Sequence, residues 1–124
     1  MTLEHVNVTV SDAAATARWL GDVFGWRIRW EGDSKAGGHS KHVGGDDFYV
    51  VAYQAPEKSD LRGADYRSTG WLNHIGVVVD DLNAVEERVR AAGFTPYNHG
   101  DYEPGRRFYF DDADGIEWEV VSYD

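Results

Sequence analysis

The stretch Leu72–Asp81, LNHIGVVVDD, is nearly repeated by Leu3–Asp12, LEHVNVTVSD, and a common offset of 69 residues lays His74 on His5, Asp80 on Ser11 and Asp81 on Asp12. A chain that repeats itself in this way is built from two like supersecondary units. In each copy apolar and polar residues alternate with period two, which marks a strand with one buried face. An acidic or hydroxyl pair then precedes a helical pattern, which marks a helix N-terminus. Each half therefore begins strand, cap, helix, with a histidine near the start of the strand.

In the first strand Val6, Val8 and Val10 form the core face, opposite Leu3, His5, Asn7 and Thr9. Ser11 or Asp12 caps a helix with Ala17, Leu20 and Phe24 on its apolar stripe and Gly25 as its left-handed stop. Trp26–Glu31 reads as a strand, residues 32–38 as a loop, and His39–Val43 with Phe48–Gln54 as a hairpin turned at GGDD. Ala55–Gly70 has no periodicity, one proline and many charges, and is expected to link the halves. The plan then recurs, with a strand over Leu72–Val79 and a helix carrying Leu82, Val85, Val89 and Ala92. Gly93 stops that helix, and Glu86 is spaced to pair with Arg90 on its outer face. Strands near Thr95–His99, Arg107–Asp111 and Ile116–Tyr123 complete the second half, with ADG turning between the last two. The expected fold class is α+β, two tandem βαβββ modules.

The 124 residues fit one domain with a substantial core, and the absence of cysteine excludes disulfides and thiolate metal sites and points to a cytoplasmic protein. No apolar run approaches a membrane span. Twelve basic against 22 acidic residues give a net charge of -10, which repels phosphate backbones, so nucleic acid is not an expected partner.

The doubled plan, the paired histidines and the closing run FYFDDADGIEWEVV resemble the glyoxalase, bleomycin-resistance and extradiol-dioxygenase superfamily, the vicinal oxygen chelate proteins, over essentially the whole chain. Members often end with an aromatic strand, a DPDG turn and a glutamate four residues past its glycine. Here Asp112–Gly115 reads DADG, and Glu119 stands four residues after Gly115. The resemblance implies a single domain, with module 1 over about residues 1–55, a linker over about 56–70 and module 2 over about 71–124. It also implies curved mixed sheets around a cup-shaped cavity, and module pairing that makes a homodimer the expected assembly.

Period two puts Glu119 on the less apolar face of the last strand with Glu117, and His5 and His74 opposite the valine faces of their own strands. A lone histidine on a half-buried strand is most often a hydrogen-bonded core or rim residue. Identical placement in both copies, joined by a glutamate at the family's ligand position, favours a site instead. Two imidazoles and a carboxylate form the facial triad that holds one divalent ion and leaves positions open. The implied metal ligands are His5, His74 and Glu119. Fe2+ or Mn2+ is the favoured ion, with Zn2+ or Ni2+ as further possibilities.

Moving Glu119 back by 68 or 69 residues lands on Val51 or Val50, so the fourth ligand of the metal-dependent glyoxalase I isomerases is missing. The remaining pattern is that of extradiol dioxygenases and fosfomycin-modifying transferases. Tyr109 and His42 are the candidate catalytic residues, with Glu117 a further proton acceptor by position. The expected function is that of a metalloenzyme acting on a small molecule chelated through two vicinal oxygens, by dioxygenase, lyase or transferase chemistry. The alternative is a metal-free drug-binding protein of the bleomycin-resistance kind. The acidic charge and five tryptophans suit that alternative, although such charge is more commonly a solvated surface and such tryptophans more commonly fill a core and a subunit interface.

Overall fold

The computed structural model describes residues 1–58 and 66–124. The chain forms two compact units, Met1–Ser59 and Asp60–Asp124. The first contains β1 (His5–Thr9), α1 (Ala13–Phe24), β2 (Arg27–Asp33), a short 3-10 turn at Lys35–Gly37, β3 (His39–Gly44) and β4 (Tyr49–Gln54). The second contains β5 (Ile75–Val78), α2 (Leu82–Ala91), β6 (Tyr97–Tyr102), β7 (Gly105–Asp111) and β8 (Glu117–Ser122). Sheet orders are β1-β4-β3-β2 and β5-β8-β7-β6. In each, the first pair is parallel and the other two are antiparallel. The fold is thus α+β, with βαβββ repeated in tandem.

The same physical signals make both helices. Asp12 accepts the Ala15 N–H at 3.0 Å and Asp81 the Ala84 N–H at 3.1 Å, each satisfying one of the donors a helix start leaves without an intrahelical partner. At the other end of α1, Gly25 has φ 72°, a left-handed conformation that glycine adopts without cost, and its N–H reaches Gly21 O. In α1, Ala13, Ala17, Leu20 and Val23 are buried against β3 and β4; in α2, Leu82, Val85 and Val89 are buried against β7 and β8. Phe24 is only half-buried, and Trp19 and Val23 take up the burial expected of it. Trp118, Phe108, Phe110 and Val120 fill the core of the second unit.

Several boundaries differ from the sequence-based expectation. β2 runs on through Gly32 and Asp33, because these pair with Ser40 and His39 in a hairpin tighter than a seven-residue loop allows. β6 is displaced towards the C-terminus, to Tyr97–Tyr102, since a register shift between Tyr97 and Gly100, with Asn98 at φ 52°, breaks the alternation that marks strands. β5 is shorter than expected, so His74 immediately precedes the strand. Ala92 caps α2 rather than lying within it. The expected linker includes residues 59–65, which lie outside the described residues. Among the described residues no helix is long and apolar enough to cross a membrane.

Candidate functional site

The ladder register aligns the two modules position by position. In the first, His5 pairs with Tyr49 and Asn7 with Val51, and Val51 in turn faces His42 across β3 and β4. In the second, Gly76 pairs with Glu119, which faces Tyr109 across β7 and β8. Val51 is therefore the counterpart of Glu119, Tyr49 of Glu117, and His42 of Tyr109.

The polar face of the first sheet is an aromatic column. His5 and His42 each stack on Tyr49, with centroids 4.8 and 4.6 Å away and planes within 13° and 15° of parallel. Trp30 closes on His42 at 4.9 Å, and the Arg29 guanidinium lies 4.8 Å over the Tyr49 ring. Nδ1 of His5 meets Glu4 Oε1 at 2.9 Å, and the Tyr49 hydroxyl donates to the same oxygen at 3.0 Å. These bonds hold the Glu4 carboxyl below its usual range. A carboxylate on Nδ1 fixes the tautomer that leaves the lone pair on Nε2, the atom a metal takes. Burial first, then repulsion from His5 when it is protonated and from Arg29, depress the His42 pKa and favour the neutral ring.

The corresponding face of the second sheet is acidic and hydroxylated. His74 Nε2 stands 3.0 Å from Glu119 Oε1, and its Nδ1 lies 3.5 Å from Glu117 Oε2. Tyr66 donates to that oxygen of Glu117 and approaches His74 Nδ1 at 3.4 Å. The Tyr97 hydroxyl donates to Asp111 Oδ1 at 2.7 Å and lies 3.0 Å from Glu117 Oε1, one proton between two acceptors. Arg107 Nη1 donates to Glu119 Oε2 at 2.9 Å. Tyr109 meets the His74 ring edge-on at 5.8 Å.

The phenols respond to these acids. The Glu117 hydrogen bond, with partial burial, raises Tyr66 to about 12. Burial and then Asp111 and Glu117 push Tyr97 up, and burial and then Glu119 push Tyr109 up. All three stand above the ordinary phenol range and keep their protons near neutrality, which suits Tyr109 to donating a hydrogen bond.

Within the second unit His74 and Glu119 are brought together, with Glu117 behind them. His5 lies on the polar face of the first unit, as does His42. Among the described residues no group of three or more His, Cys, Asp or Glu side chains is clustered to hold a metal ion. His74 and Glu119 nevertheless suit such a role as a pair. Two ligands each about 2.1 Å from one ion, at right angles, stand about 3 Å apart, and Glu119 Oε1 is the oxygen not engaged by Arg107. His39 sits on β3 opposite Gln54, and His99 bonds Glu86 at 3.0 Å, so neither joins these groups. Glu86 also meets Arg90 at 2.7 Å, as its helical spacing predicts.

Tyr66, Tyr97 and Arg107 escape the sequence reading. Arg107 precedes Tyr109 by two residues on one strand, so period two alone assigns it to the same face. Tyr66 lies in a stretch without periodicity, and Tyr97 follows a helix without alternation, so neither carries a signal.

A solved glyoxylase/bleomycin resistance protein/dioxygenase domain from Frankia sp. EAN1pec superposes with TM-score 0.82 at 23% identity, covering 98% of this chain and 97% of that one. The fosfomycin resistance protein FosX from Mesorhizobium loti gives TM-score 0.72 at 26% identity, covering 97% and 90%. A FosX variant from Listeria monocytogenes, solved in complex with Mn(II) and 1S,2S-dihydroxypropylphosphonic acid, gives TM-score 0.76 at 20% identity, covering 97% and 91%. No curated protein gives a significant match. The family model of the Glyoxalase/Bleomycin resistance protein/Dioxygenase superfamily matches residues 2–120. With the tandem βαβββ fold, that match over nearly the whole length means that the chain belongs to this superfamily.

Proposed function

We propose that the protein is a divalent-metal enzyme acting on a small molecule held through two vicinal oxygens, by extradiol-dioxygenase-like or related lyase or transferase chemistry. His5, His74 and Glu119 are its ligands, and Fe2+ or Mn2+ is the favoured ion. The observation that carries this reading is the 3.0 Å approach of His74 Nε2 to Glu119 Oε1, backed by a carboxylate at Nδ1 of each histidine. The Listeria FosX complex with Mn(II) and a vicinal diol adds support by likeness of fold. When bound, the ion supplies Lewis acidity to the substrate's oxygens and stabilises negative charge that develops on them.

The chain's own groups take complementary parts. Glu4 and Glu117 orient the imidazoles, Arg107 holds one oxygen of Glu119 and leaves the other free, and Tyr109 donates a hydrogen bond. His42, kept neutral, accepts a proton. Val51 at the position matching Glu119 argues against glyoxalase I isomerisation, which needs a carboxylate there. Pairing into homodimers belongs to the same reading and is supported by Leu3, Leu72 and Val78, which stand exposed at or beside edge strands β1 and β5.

The test is a titration of the Fe(II) and Mn(II) forms with catechols and hydroxy-ketones, anaerobically and then with oxygen, in wild type and Glu119→Gln. Wild type is expected to show ligand-induced spectral change. Glu119→Gln, which removes the anionic ligand, should lose at least about a hundredfold in metal affinity. Equal metal affinity in the two proteins would remove the ligand assignment. Tight drug binding without metal would install the bleomycin-resistance-type reading instead, with Glu119 serving only as the partner of Arg107.

A further inference from the structure

Arg107 on β7 is withdrawn from solvent, its side chain 12% exposed. Its guanidinium lies 5.0 Å over the Tyr102 ring and gives Nη1 to Glu119. Among the described residues, the buried side-chain atoms without a hydrogen-bond partner are Arg107 Nε, Arg107 Nη2 and Ser40 Oγ. Nε and Nη2 are not scattered donors. They form one edge of the planar group, with two N–H bonds side by side, the fork that matches two oxygens of one carboxylate or phosphate. Neutralising Glu119 requires Nη1 alone and does not account for this edge. Buried charged donors without acceptors are costly, and native proteins seldom keep them without a reason.

The first module repeats the feature. Ser40 pairs with Tyr53 and Arg107 with Val121, which makes Ser40 the counterpart of Arg107 in the ladder register, and Ser40 is 1% exposed. Unpartnered buried donors thus recur at one register position, on the faces that carry His42 and Tyr109. With a net charge of -10, the protein has no general attraction for anions, so an anionic ligand needs a dedicated cation.

We propose that the Nε–Nη2 edge of Arg107 binds an oxyanion group, a carboxylate or a phosphate-like group, carried by the small-molecule substrate. This deepens the functional reading above, on which it rests for the identity of the anion as the substrate's. Arg107 then links the two recognition elements, with Nη1 on the glutamate facing His74 and the opposite edge on the substrate. Substrates with vicinal oxygens and no anionic group are expected to bind less well than their carboxylated or phosphorylated counterparts.

The test uses 15N-labelled protein without added metal. The Arg107 Nε–H resonance is assigned by its loss in Arg107→Lys and followed during titration with glycolate, acetate, inorganic phosphate and, as control, chloride. A saturable displacement by at least one oxyanion and none by chloride is expected, and the responding anion identifies the group. By calorimetry Arg107→Lys, which keeps the charge and loses the fork, should bind that anion about tenfold more weakly. A resonance indifferent to every oxyanion at tens of millimolar, or equal affinity in the lysine variant, overturns the proposal. If the variant fails to fold, the Nε–H resonance is assigned instead through the Arg107 side-chain carbons of 13C,15N-labelled wild type, and that titration decides alone. Mn(II) titration of the same sample separates the two readings. Metal binding without an anion response sinks this inference and leaves the functional reading standing, and the opposite result does the reverse.

Discussion

The two modules share a backbone plan and differ in what stands on its polar face. Each has an aspartate-capped helix packed on the apolar side of a four-stranded sheet with the same strand order and pairing sense. On the other side, Tyr49, Val51, His42 and Ser40 of the first module stand at the register positions that Glu117, Glu119, Tyr109 and Arg107 occupy in the second. The first face is a stack of rings, and the second is a network of acids, phenols and a guanidinium. Fold is set by caps, alternation and one apolar face per element. Chemistry is set by a few positions on the opposite face, which those constraints leave open.

The turn between the last two strands of each module offers the largest separable effect. Asp112 is 8% exposed, accepts the Asp114 and Ile116 N–H groups at 2.9 and 3.0 Å through Oδ1, and takes the Trp118 indole N–H at 3.1 Å through Oδ2. In the first module Gly45 holds the matching place, and the turn closes through Gly45 N–H to Phe48 O at 3.0 Å, with Arg29 Nη1 donating to the same oxygen at 3.2 Å and no buried carboxylate at its centre. Asp112→Ala should therefore cost about 3 kcal/mol in chemical denaturation, from lost bonds to a buried carboxylate. Asp46→Ala should change stability by under about 0.5 kcal/mol, since the Arg27–Asp46 pair is exposed. Equal losses would mean that backbone geometry alone fixes both turns.

The orienting carboxylates provide a smaller contrast. Glu117 is 15% exposed, bonds two phenols and backs His74 Nδ1, whereas Glu4 is 63% exposed beside His5. Solvent screens Glu4 far more. Glu117→Gln is expected to lower Mn(II) affinity about tenfold and Glu4→Gln about twofold, by calorimetry. A larger effect at Glu4 would move the centre of the site to the first module.

How legible each part was follows from the kind of signal it leaves. His5, His74 and Glu119 stand out as candidates because a repeat and a spaced motif mark them, and the two helices were legible because caps and stripes are local. Strand β6 was misplaced because an edge strand reading YNHGDY, with Asn98 at positive φ, has no buried face to impose alternation. Tyr66 and Tyr97 join Glu117 across sequence separations of 51 and 20 residues, and no local pattern encodes such approaches. Arg107 was readable by period two, but its ion pair with Glu119 depends on the β7–β8 register, which the sequence leaves free.

The smallest expected effect is a pH dependence confined to the first module. His42 lies between Tyr49 and Trp30, with His5, Arg29 and Glu4 as its charged neighbours. Burial, then His5 when it is protonated and Arg29, depress its pKa, and Glu4 only partly opposes them. In the unfolded chain the ring titrates near about 6.5. As the pH falls through that value the unfolded state takes up a proton that the folded state refuses, so stability falls, and the loss levels off below the depressed folded value. The stabilising contribution is complete above about pH 7. His42→Phe keeps a flat ring against Tyr49 and removes the titration, so its denaturation midpoint should fall less than that of wild type between about pH 7 and 5. Tyr109→Phe, the matching change in the second module, should leave this slope unaltered, because Tyr109 is raised above the ordinary phenol range and does not titrate there. Parallel slopes in wild type and His42→Phe would show that His42 is not held neutral by its stack.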